Sequence, residues 1–108
     1  MIEYIEIEVP DYNDSFSRVV LEGIEYLIRF TYNYSADRWS FGLYTTQREP
    51  IAVGIRIVSK FPLNMQIRDE KFPSGVFGAM TNLENVRRHD FKNGNAKFVY
   101  FPASQAVE

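Results

Sequence analysis

The chain of 108 residues has no cysteine and a single histidine, His89. Without thiols there is no disulfide, no thiolate metal site and no cysteine nucleophile. One histidine beside Asp90 falls short of a zinc centre, which takes three or four protein ligands. A serine triad lacks its G-x-S-x-G nucleophile elbow. Neither Gly-Lys-Ser, Gly-Lys-Thr nor G-x-G-x-x-G occurs, so no phosphate cradle can be read. Glu6 and Glu8 stand about 7 Å apart along one strand face, but a solvated acidic face needs no catalytic explanation. No apolar run approaches the ~18 residues of a membrane span. The opening MIEYIEIEVP carries acids where a signal peptide carries bases. The expectation is a non-enzymatic protein with no cofactor, no metal and no membrane association.

What the chain has in quantity is apolar and aromatic side chains. Hydrophobic residues make up 45% and aromatic residues 16%, a globular composition. The length suggests one domain, 1–108. A net charge of −2 is not the basic excess of a nucleic-acid binder. The charge is split along the chain, however. Residues 1–54 hold nine acids and four bases, and residues 55–108 hold five acids and eight bases. Such a split can orient partners in an assembly.

Period-two alternation dominates the first half. In 24–32, Ile24, Tyr26, Ile28, Phe30 and Tyr32 share one side, and Glu25, Arg29 and Thr31 fall on the other. That pattern predicts a half-buried strand. Before it, Glu22-Gly23 links it to the β-branched run FSRVVL, a hairpin signal because Gly accepts positive φ. Asn33 to Asp37 supply the next turn. Trp39, Phe41 and Leu43 then alternate with Arg38, Ser40 and Gly42, which places the only Trp inward, near Tyr26 or Phe30. Residues 51–58 predict a further strand with Ile51, Val53, Ile55 and Ile57 on one face. Gly54 would make room there for the Trp39 ring. Tyr26, Phe30, Trp39, Phe41 and Gly54 are therefore the expected structural core.

The remaining segments are less regular. Residues 2–9 read as an acidic edge strand. Phe61-Pro62-Leu63 could open a helical turn to about Asp69, and Thr81 to Glu84 fits a capping box. Strands are expected at 75–80 and 96–101, with Asn93-Gly94 as the turn before the second. The sum is all-β: a small antiparallel meander forming a sandwich or partly open barrel, with at most one or two short helical turns. A basic cluster of Arg68, Lys71, Arg87, Arg88, Lys92 and Lys97 lies among Phe72, Phe91, Phe98 and Tyr100. On an OB-like barrel such a cluster would bind single-stranded nucleic acid. Small-ligand binding is a third reading. The partner-contacting residues expected from sequence are Arg87, Arg88, Phe61 and Phe72. Self-association stays open.

Several residues also carry a family resemblance. They are Gly23, Tyr26, Tyr32-Asn33, Trp39, Leu43-Tyr44, Pro50-Ile51, Gly54 and Ile57-Val58, then Pro73-x-Gly75, Asp90-Phe91 and Val99-Tyr100. In this order they resemble the small plug proteins of the baseplate hub in contractile-tailed bacteriophages, the cyanophage type. The segment NLENVRR stands where that family usually has a Gly-containing stretch. The resemblance implies a structural virion protein at the tail baseplate, made in the host cytoplasm. It would close the tail tube and contact hub, spike or tape-measure proteins. It supplies no catalytic residues.

Overall fold

The computed structural model describes residues 4–59 and 71–103. Among the described residues seven strands follow one another: β1 (Ile5–Ile7), β2 (Asp14–Leu21), β3 (Ile24–Asn33), β4 (Arg38–Tyr44), β5 (Pro50–Arg56), β6 (Val76–Thr81) and β7 (Ala96–Phe101). Two antiparallel sheets result. One is the meander β2-β3-β4-β5, and the other is β1-β7-β6. The sheets do not close into a barrel, so the architecture is the sandwich. β1 lies at an edge, where the Glu6 carboxylate opposes strand addition.

Local chemistry explains the meander. Glu22 and Gly23 both take positive φ, 53° and 83°, the requirement of a two-residue hairpin whose twist matches its strands. Register then pairs Leu21 with Ile24 and continues to Asp14 with Thr31. In the β3–β4 turn the Asn33 side chain accepts from the Ala36 amide, and Asp37 takes φ 52°. Thr45 organises the β4–β5 turn by accepting at Oγ1 from the Gln47 and Glu49 amides.

Between the sheets lies an aromatic core. Phe98 of β7 packs edge-on against Phe30 of β3 and Phe41 of β4, with centroids 5.1 and 5.0 Å away. Phe77 of β6 packs on Phe41, Phe98 and Tyr100. Perpendicular and tilted rings suit the quadrupole better than face-to-face stacks. Tyr26, Phe30, Trp39 and Phe41 are all buried here.

Gly54 corrects the expected core. It is exposed, with φ 69°, and a Cβ there would meet nothing. The reason is a pair of register shifts between β4 and β5. Phe41 pairs Ile55 and Leu43 pairs Ala52, while Tyr44 pairs Pro50. Each shift inserts a residue into β5, and Gly54 supplies the left-handed backbone that such a bulge needs. The bulge also reverses the side-chain phase, so Val53 points out while Ile55 and Ile57 point in. The close approach expected at Gly54 occurs instead at Gly42, whose Cβ position is 3.2 Å from the Ala52 carbonyl and Val53 Cα.

The capping box at Thr81 forms no helix. Thr81 Oγ1 accepts from the Leu83 amide and donates to the Asn95 carbonyl, and residues 82–95 run as bends and turns. This is the competing local use of a hydroxyl next to its own backbone. The helical turn expected from Phe61 lies outside the described residues.

Candidate partner-binding surfaces

Trp39 organises the corner that holds Arg87 and Arg88. Its ring packs on Tyr32, its register partner in β3, and on Phe91, at 5.3 and 5.8 Å. Neither Tyr26 nor Phe30 is its stacking partner. The indole Nε1 donates to the Arg87 carbonyl at 3.0 Å. A buried indole N–H needs such an acceptor. One contact thereby fastens the loop 82–95 onto the meander.

The two arginines separate at this corner. The Arg87 side chain is 70% exposed and pairs loosely with Asp37 at 3.4 Å. That of Arg88 is 15% exposed. It donates from Nε to Asn13 at 2.6 Å and from Nη1 to Asp11 at 2.8 Å, and its guanidinium lies over the Trp39 ring. Arg88 is thus bound inside the molecule rather than offered to a partner. Lys92 also reaches Asp11, at 3.2 Å, and His89 stands 3.9 Å from it. Arg88 first and then Lys92 hold the Asp11 carboxyl below its ordinary value.

Phe72, expected to face a partner, is buried in the core against Phe77 at 5.6 Å. Phe61 lies outside the described residues, as does Arg68. The aromatic platform expected for nucleic acid does not form beside these cations, because Phe98 and Tyr100 point between the sheets. Among the described residues no cluster of three or more His, Asp or Glu could hold a metal ion.

A second cluster joins the two sheets. Tyr100 on β7 donates to Glu22 Oε2 at 2.6 Å, and the Gly75 amide donates to Tyr100 Oη at 2.8 Å. Glu22 also accepts from the Ala103 amide at 3.2 Å. The β2–β3 hairpin tip thereby clasps both β7 and the segment leading into β6. Burial, then the Glu22 carboxylate, pushes the Tyr100 phenol well above its usual range. The same bond, followed by that from Ala103, holds Glu22 below its ordinary 4.5. A carboxylate so depressed stabilises the fold above its unfolded value and loses that contribution as pH falls through its folded value. The thermal midpoint is expected to drop as pH goes below about 4.5. Glu22→Gln should lower the midpoint at neutral pH and flatten this acid limb, leaving among the described residues the part due to Asp11 and to Asp14, whose carboxyl Arg29 holds below its ordinary value. Melting curves between neutral and acid pH check it, and an unchanged acid limb would remove Glu22 from the explanation.

Beside this clasp opens a cleft of about 440 Å³, lined in part by Glu22, Tyr26, Thr45, Ile51 and Phe72. Two of its polar groups are spent inside the protein. Glu22 is occupied as above, and the Tyr26 hydroxyl donates to the Lys71 carbonyl. Ligand sites instead aim a few polar groups inward at one point.

Residues 2–103 match the family model described as "Cyanophage baseplate Pam3 plug gp18". The chain belongs to this cyanophage baseplate plug family. It is accordingly a structural component of the virion, placed in the tail baseplate among other baseplate and tail proteins. No curated protein matches the chain. The arginines expected from sequence are only part of those at the surface of this plug-family protein. The outer face of the meander, with Phe16, Arg18, Arg29, Tyr44, Arg48 and Arg56, was missed. Its signal was available: apart from Arg48, in the β4–β5 turn, these are strand residues that alternate with the inward set.

Proposed function

We propose that this chain closes the distal end of the tail tube before ejection. Hub, spike or tape-measure proteins hold it there, and it catalyses no reaction. The match of residues 2–103 to the baseplate plug family carries this reading. The fold is suited to the task. A plug must resist load as one body, 1–108, and leave without unfolding. Short strands tied by Trp39, Arg88 and Glu22 between loop, meander and second sheet favour such rigidity. No cofactor is needed for it.

The test is a particle assembled without this protein. Its tail tube should admit a small dye or leak DNA, while tail length stays normal. A sealed tube in such particles would refute the closing role.

Of the two arginines, Arg87 is the one free to reach a neighbour. Arg87→Glu is expected to reduce incorporation into particles, measured by quantitative mass spectrometry, while the melting midpoint shifts by no more than about a degree or two, as for an exposed pair. Arg88→Glu should instead lower the midpoint, since it places a second carboxylate against Asp11. Full incorporation of Arg87→Glu would remove this residue from the interface.

A further inference from the structure

The outward face of β2-β3-β4-β5 has a composition unlike the rest of the molecule. Register places Asp14, Phe16, Arg18 and Val20 of β2 on it, opposite Thr31, Arg29, Leu27 and Glu25 of β3. Arg38, Ser40, Gly42 and Tyr44 of β4 follow, then Arg56 of β5. Arg48, from the β4–β5 turn, lies over the Phe16 ring at 4.8 Å. Five arginines thus meet two carboxylates, in a chain whose net charge is −2. Not one of these cations is a lysine.

Much of this face is already ordered. Arg29 donates from Nε and Nη2 to Asp14 at 2.8 and 2.7 Å, a two-point grip, and lies 5.4 Å from the Phe16 ring. Phe16 packs edge-on against Tyr44 at 5.2 Å. Leu27, between Arg18 and Tyr44 in register, is buried. Around this ordered centre Val20 and Val53 stand 59% and 56% exposed. Interface centres are enriched in aromatic residues and arginine and depleted in lysine. A guanidinium sheds water more readily than an ammonium and grips carboxylates in two places.

Arg18 pairs with Glu25 at 3.1 Å. We propose that this face docks an acidic surface of a partner protein, one that presents carboxylates to Arg48 and Arg56 and apolar side chains to Val20 and Val53. The occupant is chosen by charge complementarity. An excess of cations beside exposed valines suits alternating acidic and apolar side chains. The valines give a phosphate backbone nothing to pair with. The inference is separate from the tube-closing role, because its test uses the isolated chain.

The experiment is an amide NMR titration of the full-length labelled protein with three probes. They are a synthetic peptide of alternating glutamate and valine, its lysine counterpart, and a thymidine oligonucleotide. The acidic peptide should shift resonances of residues 16–20, 25–31, 40–44 and 53–56, and the shifts should fade as salt is raised to about 0.5 M. The double variant Arg48→Glu with Arg56→Glu should weaken this binding by about tenfold or more. The lysine peptide should do nothing. No shift on this face, or equal shifts with the lysine peptide, overturns the proposal. Tighter binding of the oligonucleotide there would make the occupant nucleic acid and overturn it too. So would self-association through this face, seen by sedimentation and lost in the double variant. The mapping on the unaltered protein decides the question even where the double variant fails to fold.

Discussion

Trp39→Ala is expected to remove a large share of the fold's stability. The ring is 1% exposed and touches Tyr32, Phe91 and Arg88. Truncating a large buried aromatic side chain costs about 3–5 kcal/mol. A domain of this size has roughly 5–15 kcal/mol in total. Further loss comes from the Arg87 carbonyl, which loses its indole donor where the loop meets the sheet. Trp39→Phe keeps a ring but no donor, and should fall between the two. Urea unfolding followed by far-ultraviolet dichroism checks the order, since the single tryptophan is removed. An alanine variant that unfolds at the wild-type midpoint would mean that the loop 82–95 is held by other contacts.

Gly75→Ala is expected to be strongly destabilising although it adds only one methyl group. Gly75 stands just before β6, and a Cβ there would strike the Phe101 carbonyl oxygen and the Tyr100 ring. Neither neighbour can yield. One is backbone in β7, and the other is a buried ring tied at its hydroxyl to Glu22. Overpacking a filled site costs about 1–3 kcal/mol, sometimes more. Moving the segment away would also break the bond from the Gly75 amide to Tyr100, about 1 kcal/mol or more. Tyr100→Phe removes the hydrogen bonds without adding bulk, and should cost less than Gly75→Ala. Thermal melts of the two variants side by side decide it. If the alanine variant melts with the wild type, the segment 71–75 moves freely and the clasp is not a constraint.

The meander was legible because its signals are local. Alternation in 24–32 and 38–44 separates inward from outward side chains, and Glu22-Gly23 and Asn33 to Asp37 mark the turns between them. Hydrogen-bonded neighbours in β2 to β5 are also neighbours in sequence. Alternation nonetheless misled at β5. A single inserted residue reverses the phase of everything after it. Gly54 hints at a bulge without stating on which side Val53 then falls. The Thr81 capping box misled for a related reason, since a hydroxyl can satisfy an amide two residues on as well as one in a first helical turn.

The partner surface was harder to read. Arg87 and Arg88 are adjacent and chemically identical in sequence, yet one is exposed and the other is held by Asp11 and Asn13 more than 70 residues away. Phe72 looked like an apolar residue beside a basic one. Only the Phe77 ring against it shows a core position. Among the described residues, neither arginine nor aromatic content by itself tells inside from outside.

By itself the amino-acid sequence determined an antiparallel all-β chain, its meander and the inward direction of its indole, because alternation and turn chemistry act over a few bonds. Tertiary structure alone decided which cations remain available, where the chain bulges and how the two sheets are locked. Those depend on contacts between residues far apart in the chain, whose burial no local pattern encodes.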